Sequence, residues 1–171
     1  REAEGSVPTS TLLASTAAKT EAAKKLLAEI ARDFSPVTFA TSLGAEDMVL
    51  TDLISRHQLP IAVATLDTGK LHAPTLALIP HIESRYGLQV ERHAPVQEQV
   101  LHFVRQHGDE PMYRSIELRK ACCDLRKLQP LARMLAARSA WVTGLRREQS
   151  ANRGVLPFQD RDGAGRTKFN P

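Results

Sequence analysis

The sequence has 171 residues, of which 42% are hydrophobic and 25% are charged, and its formal net charge is +4. This composition is typical of a globular protein with one domain. Aromatic residues make up only 5%, and no basic module with stacking residues is visible, which argues against a nucleic-acid partner. No apolar run approaches the roughly 18 residues of a membrane span, and no signal peptide is recognisable, so we expect no membrane partner.

The predicted elements alternate between helix and strand in chain order. Residues 1–10 are predicted to form a disordered lead-in, and residues 11–171 a single domain. Strongly helical residues fill 11–33, and Ser35-Pro36 ends that segment. The predicted strands then span 37–41, 61–66, 88–91 and 140–143, the later helices span 46–57, 72–86, 96–107 and 116–137, and a hairpin or loop spans 155–169.

This alternation predicts an α/β fold in which a Rossmann-like parallel sheet is flanked by helices. Ligands of such sheets bind beyond the carboxyl ends of the strands. The first strand leads into Ser42, Gly44 and Asp47 at the start of a helix, where backbone N–H groups and a hydroxyl could bind an anion. The loop lacks the Gly-Lys-Ser/Thr ending of a Walker loop. A plain turn, with Asp47 as an acid of the first helical turn, is the alternative.

Two further motifs follow predicted strands at the same sheet edge. After the second strand, Asp67 stands where an acid could bind ribose or base groups, although it could equally be a turn residue. After the fourth strand, clustered arginines suggest a phosphate or sulfate clamp, with a solvated basic face as the alternative. The candidate substrate-binding residues of these two motifs are Asp67, Thr68, Gly69, Gly144, Arg146, Arg147 and Arg153.

The two cysteines of the chain, Cys122 and Cys123, are adjacent. Their Cα atoms lie about 3.8 Å apart, which is less than the roughly 4.4–6.8 Å of a relaxed disulfide. The pair is therefore free or binds a metal or cluster, and neighbouring cations such as Lys127 favour the thiolate form. Two buried thiols acting as small hydrophobic side chains are the alternative. Without a disulfide framework, the cytoplasm is the expected compartment.

Together these motifs resemble the assimilatory adenylyl-sulfate and phosphoadenylyl-sulfate reductases, from about Phe34 to the end of the chain. The matching segments are 42–47, 66–69, 122–127 with 130–131, and 141–150. The resemblance implies an adenine nucleotide alpha hydrolase-like fold, related to the PP-loop ATP pyrophosphatases. In that family the segment 42–47 would hold the phosphosulfate, and Asp67 would lie near the nucleoside.

The resemblance also implies the activity and its partners. The activity would be thiol-dependent reduction of adenylyl sulfate to sulfite and AMP in sulfate assimilation and cysteine biosynthesis, with this chain supplying the nucleotide-binding part. In that family a late cysteine attacks the sulfate sulfur, and thioredoxin or glutaredoxin cleaves the resulting S-sulfonate. The cysteine pair resembles the branch that carries a 4Fe-4S cluster and prefers adenylyl sulfate. Cys122 and Cys123 would then be two of four cluster ligands, and Lys127 a catalytic residue between cluster and substrate.

The sequence departs from this family pattern in two respects. Pro74 stands where the family usually has Glu, and the second cysteine pair and the nucleophilic cysteine are absent. We therefore expect a C-terminally truncated chain that is inactive alone. Because adjacent helical residues point about 100° apart, two thiolates reaching one cluster would also need a local distortion of the helix.

Three alternative functions stay open. They are a phosphoadenylyl-sulfate reductase, an ATP pyrophosphatase-type nucleotidyl transferase, and a non-catalytic nucleotide-binding or thiol-sensing module. Ala45-Glu46 in the middle of the first loop argues against a triphosphate ligand. Homo-oligomer formation is also left open.

Overall fold

The computed structural model describes residues 9–145 and 157–171, with side chains from Leu13 onward. Its helices are α1 (Thr9–Asp33), α2 (Ala45–Arg56), α3 (Ala73–Tyr86), α4 (Gln97–His107), α5 (Ile116–Cys123) and α6 (Gln129–Leu135), with a 3₁₀ turn at Pro111–Tyr113 and a π-helical turn at Asp124–Leu128. Its strands are β1 (Val37–Ala40), β2 (Ile61–Leu66), β3 (Val90–His93), β4 (Ala140–Val142), β5 (Gln159–Arg161) and β6 (Thr167–Phe169).

The six strands form one sheet in the order β3-β2-β1-β4-β6-β5. All neighbouring pairs are parallel except β5 and β6, which are antiparallel at one edge. Val37 of β1 lies opposite Ile61 of β2 on one side and opposite Ala140 of β4 on the other. The carboxyl ends of β2, β1 and β4 therefore lie side by side, and the predicted α/β fold is confirmed.

Helices cover both faces of the sheet, as buried parallel strands require. On one face, Phe39 of β1 packs in a cluster with Leu27 of α1, Leu53 of α2 and Ile79 of α3. On the other face, Trp141 of β4 packs with apolar residues that include Met134 and Leu135 of α6. The strands are buried on both sides because β-branched, aromatic and small apolar residues occupy both alternating positions.

The predicted boundaries agree with these elements within about two residues in most cases. Helix α1 begins at Thr9 rather than at residue 11, and β3 occupies Val90–His93 rather than 88–91. The described part of the C-terminal segment is an antiparallel hairpin, as predicted. None of the described helices is long and apolar enough to cross a membrane.

The prediction of one uninterrupted helix over 116–137 is wrong. A π-helical turn over Asp124–Leu128 separates α5 from α6, and the Gln129 N–H donates to the Asp124 carbonyl five residues earlier. Pro130 gives a physical reason, because proline lacks the N–H that would bond to the carbonyl four residues earlier and its ring clashes with that carbonyl. The wider turn lies directly after Cys123, where the adjacent thiols would need a distortion.

Candidate functional site

The carboxyl ends of β1 and β2 continue into polar loops that are bonded to each other. The Thr41 N–H donates to the Ala64 carbonyl at 2.8 Å, and Thr65 Oγ1 donates to the Thr41 carbonyl at 3.0 Å. Thr65 is buried, so its hydroxyl is paired as burial demands. These bonds fix the start of the loop after β1 at the same sheet edge as the loop after β2.

The loop after β1 wraps around the carboxylate of Asp47, which is only 3% exposed. Asp47 Oδ2 accepts hydrogen bonds from the Ser42 N–H and from Ser42 Oγ, the latter at 2.7 Å. The Leu43 N–H donates to Thr41 Oγ1 at 3.0 Å, and Leu43 has a left-handed backbone with φ of 64°. Since a non-glycine residue in that region costs on the order of 1–3 kcal/mol, the bonds to Asp47 hold a conformation that the chain would not otherwise favour.

Helix α2 begins beside this loop with Gly44 as its N-cap and without a side-chain cap from the described residues. The first-turn N–H groups of a helix have no intrahelical partner, and they carry the positive end of the helix dipole. This geometry suits an anion at the sheet edge. The same turn contains Glu46 and Asp47, whose negative charges oppose an anion, so a bound phosphate or sulfate needs cations from another segment.

The loop after β2 is a turn closed by its own side chains. Asp67 Oδ1 accepts from the Gly69 N–H at 3.1 Å, and Thr68 Oγ1 accepts from the Lys70 N–H at 3.2 Å. Gly69 has φ of 75°, which glycine adopts without strain. Lys70 Nζ lies 2.8 Å from Asp109 Oδ1, and this hydrogen bond is the main cause that holds the pKa of Asp109 below its ordinary value.

The end of β4 lies against the loop after β1. A Cβ built on Gly144 would lie 1.5 Å from Asp47 Oδ1 and 2.8 Å from its Cγ, so only glycine fits there. Thr143 Oγ1 donates to Asn170 Oδ1 at 2.5 Å, which joins the end of β4 to the end of β6. The predicted anion clamp of Arg146, Arg147 and Arg153 lies outside the described residues.

The cysteine pair is connected to the loop after β2. Cys122 is buried and Cys123 is exposed, and Lys127 is exposed on the π-helical turn. From the same turn, Arg126 Nη1 donates to the Thr68 carbonyl at 2.9 Å. Within the described ranges, no group of three or more His, Cys, Asp or Glu residues could hold a metal ion, so the pair has no further ligand beside it there.

A cavity of about 450 Å³ lies between α4 and the segment that runs from the end of α5 through the π-helical turn. Its lining includes His102, Phe103, Ala121 and Leu125, and it includes none of the predicted substrate-binding residues. Since ligands of parallel sheets bind at the strand ends, we place the candidate site at the loops and not in this cavity.

The structure therefore brings the described candidate residues Ser42, Gly44 and Gly144 together around Asp47, and it links the turn of Asp67, Thr68 and Gly69 to the segment of Cys122, Cys123 and Lys127. Sequence reasoning missed the parts played by Asp47 and Arg126. The sequence places Asp47 in the segment 42–47 that would hold the phosphosulfate, or in a plain first turn, but does not indicate that it accepts the loop's hydrogen bonds. The available signal for both residues was a charged side chain inside a matching motif.

Comparisons with known proteins identify the family to which the chain is similar. Residues 36–171 match the Phosphoadenosine phosphosulfate reductase domain. The adenosine 5′-phosphosulfate reductase of Allochromatium vinosum is 50% identical over 151 residues, which are 88% of this chain and 59% of that protein. The adenosine 5′-phosphosulfate reductase of Burkholderia cepacia is 47% identical over 156 residues, which are 91% of this chain and 62% of that protein.

The fold also resembles a solved structure, the phosphate complex of phosphoadenylyl-sulfate reductase from Candida auris. The TM-score is 0.71 and the identity 23%, over 98% of this chain and 81% of that chain. This structural likeness shows the fold, and the sequence matches show the family. The chain spans only about three-fifths of the length of the two relatives above. By its match over 36–171, the chain belongs to the phosphoadenosine phosphosulfate reductase domain family.

Proposed function

We propose that this chain is the nucleotide-binding part of an adenylyl-sulfate reductase, which reduces adenylyl sulfate to sulfite and AMP in sulfate assimilation. The observation that supports this proposal is the meeting of the loops after β1 and β4 at Asp47, where Ser42 donates two hydrogen bonds and Gly144 leaves no room for a Cβ. The loop after β2 adjoins them through the bonds between Thr41 and Thr65.

The chain's own residues would bind and orient the substrate. The Ser42 hydroxyl donates to Asp47, so in this arrangement the phosphosulfate contacts come from N–H groups of the first turn of α2. The negative charges of Glu46 and Asp47 must be offset by cations, and we propose that Arg146, Arg147 and Arg153 supply them. The Asp67 turn would lie beside the nucleoside, and the exposed Lys127 would face the sulfate.

The proposed reduction needs a nucleophilic thiolate in addition to Cys122 and Cys123, which we assign to the cluster below. A cysteine thiolate would attack the sulfate sulfur, forming an S–S bond while the S–O bond to the phosphate breaks and its electron pair leaves with AMP. A second thiol, from thioredoxin or glutaredoxin, would then attack the S-sulfonate to form a disulfide and release sulfite. We propose this donor class because a thiol is the reductant that the chemistry requires.

We further propose that Cys122 and Cys123 supply two of the four thiolates of a 4Fe-4S cluster. Both cysteines lie at the end of the regular helix α5, Cys122 buried and Cys123 exposed, and the π-helical turn begins at the next residue, Asp124. Two thiolates are half of the usual ligand set, and no third ligand accompanies them within residues 9–145 and 157–171. This chain alone therefore does not fit a complete cluster, and no step of the proposed reaction passes through one.

Calorimetric titration of the chain with AMP, adenylyl sulfate and ATP tests nucleotide binding. We expect AMP and adenylyl sulfate to bind at least about tenfold more tightly than ATP, because acidic residues stand where a triphosphate would need a lysine. Tighter binding of ATP would instead support a nucleotidyl transferase. In a longer form that carries the family's further cysteines, competition kinetics should favour adenylyl sulfate over its 3′-phosphorylated form, and the opposite preference would support a phosphoadenylyl-sulfate reductase.

Anaerobic iron and sulfide analysis tests the cluster. The 171-residue chain should be colourless or hold substoichiometric iron, and it should form no sulfite. The longer form should hold a full cluster, and Cys122→Ser or Cys123→Ser should abolish its iron binding. A stable, fully loaded cluster in the 171-residue chain would contradict the proposed ligand set.

A further inference from the structure

Arg126 is a buried charge in the middle of the π-helical turn. It is only 8% exposed, whereas arginine is rarely fully buried unless it is paired. Its Nη1 donates to the Thr68 carbonyl at 2.9 Å, but its Nε is buried without a hydrogen-bond partner among the described residues. An unpaired buried donor is destabilising, so a methionine of similar length would fill this position without that penalty.

The guanidinium group lies directly against the turn that follows β2. A Cβ on Gly69 would lie 3.1 Å from Arg126 Nη1, and the bond to Thr68 joins residues 58 positions apart in the sequence. The residue that follows the turn, Lys70, is paired with Asp109. Arg126 also contributes, after Lys70, to the lowered pKa of Asp109. The turn is therefore joined to neighbouring segments by two cationic side chains, Arg126 and Lys70.

We propose that Arg126 is a positioning residue, which fixes the Asp67–Gly69 turn relative to the Cys122-Cys123 pair. Its side chain starts three residues after Cys123, and it ends on the backbone of the turn that would adjoin the nucleoside. The distance between the thiol pair and the nucleotide then stays constant. The part of this inference that concerns the nucleotide rests on the proposed function, whereas the part that concerns the turn does not.

The test compares three variants of the chain. Arg126→Met removes the charge and the hydrogen bond, and Arg126→Lys keeps the charge but loses the planar fork of donors. Arg133→Met is the matched control, because Arg133 Nη2 also donates to a backbone carbonyl after a strand, that of Ala94 at 2.6 Å. Circular dichroism and thermal unfolding establish that each variant is folded.

The first measurement is amide hydrogen exchange over 67–70 without any ligand. The Gly69 and Lys70 amides are bonded inside the turn, and we expect them to exchange at least about tenfold faster in Arg126→Met. Arg133→Met should leave them unchanged. Unchanged exchange in folded Arg126→Met would overturn the proposal. If Arg126→Met does not fold, the same measurement on Arg126→Lys decides the question. This variant loses the planar guanidinium donors, so we still expect faster exchange at Gly69, and unchanged exchange would overturn the proposal.

The second measurement is the affinity for AMP. We expect Arg126→Met to weaken binding at least about tenfold, Arg126→Lys to lie between, and Arg133→Met to stay within about twofold of the wild type. Unchanged affinity in both Arg126 variants would refute the link to the nucleotide. If the wild-type chain itself binds no adenine nucleotide, the proposed function fails, while the exchange measurement still decides whether Arg126 fixes the turn.

Discussion

Gly144 and Asp47 lie so close that a Cβ on residue 144 would stand 1.5 Å from Asp47 Oδ1. The two residues come from loops that follow different strands, β4 and β1, and those strands are neighbours in the sheet. Asp47 is held by Ser42, so its carboxylate cannot move aside without breaking the loop. The contact therefore makes each of the two loops depend on the other.

Gly144→Ala tests this dependence. We expect the free energy of unfolding to fall by about 1–3 kcal/mol, since the added methyl overpacks a buried contact, and AMP binding to weaken as the loop after β1 shifts. Urea unfolding and calorimetric titration measure the two effects. Gly163→Ala is the control, because a Cβ there meets nothing within 4 Å. Equal stability of the two variants would show that the contact is unimportant.

Asp47→Asn tests the carboxylate itself. The amide keeps the shape of the side chain but removes the charge that accepts from the Ser42 N–H and hydroxyl, and hydrogen bonds to charged groups contribute about 1.5–3 kcal/mol. We expect a loss of that size in urea unfolding. Asp52→Asn on the same helix should cost only about 0.3–0.5 kcal/mol, as its pair with Arg56 is at the surface. Similar losses in both would mean that Asp47 is an ordinary first-turn acid.

The alternation of strands and helices could be predicted because each strand is a short run of β-type residues bounded by turn residues, as in Ile61–Leu66. The contact between Asp47 and Gly144 could not be predicted, because it depends on the pairing of β1 with β4. The sequence around Asp47 and the sequence around Gly144 do not indicate that these two residues are in contact. The carboxyl ends of β2, β1 and β4 lie side by side, as a parallel sheet predicts, but the residue at which the described loops meet was not identified, and the arginine segment lies outside the described residues.

The interrupted helix shows a different limit of sequence reasoning. Apolar periodicity indicates a helix of 3.6 residues per turn, but it does not show where a single wider turn interrupts that helix, as it does over Asp124–Leu128. Pro130 was the available sign, because a proline inside a helical segment removes a backbone donor. The position of Arg126 inside a matching motif did not indicate its burial, since charged residues on helices usually face solvent.

The carboxyl group of Asp162 makes the free energy of unfolding depend on pH. Burial raises the pKa of its carboxyl and is the largest single effect, but the N–H groups of Arg166 and Ala164 and the Arg166 side chain together hold the pKa below the ordinary 3.8. The unfolded state therefore binds a proton more readily, so this stabilisation is present above pH 3.8 and is lost as the pH falls below it.

Asp162→Asn should consequently be less stable than the wild type at pH 7, by about 1–3 kcal/mol, and the difference should shrink as the pH falls toward 3. The single tryptophan, Trp141, donates to Asp162 Oδ2 at 3.1 Å, and its fluorescence follows urea unfolding at each pH. Asp160→Asn in the same hairpin is the control. A difference that is constant with pH would contradict the assigned cause.

The adjacent cysteines should differ in reactivity. Cys123 is exposed and Cys122 is buried, so iodoacetamide should alkylate Cys123 at least about tenfold faster, since accessible thiolates react first. Mass spectrometry of Cys122→Ser and Cys123→Ser variants measures the two rates separately, and the rates should become similar in urea. Equal rates in the folded chain would place both thiols at the surface.

The central position of β1 also determines the order in which the sheet can be completed during synthesis. Strand β1 can pair with β2 soon after both emerge, but β4 lies roughly 100 residues after β1 in the chain, and such non-local pairing is slow. The loops at Asp47 and Gly144 therefore meet only once the second half of the sheet has formed. Any ligand held between them stabilises the fully paired sheet and not its N-terminal half.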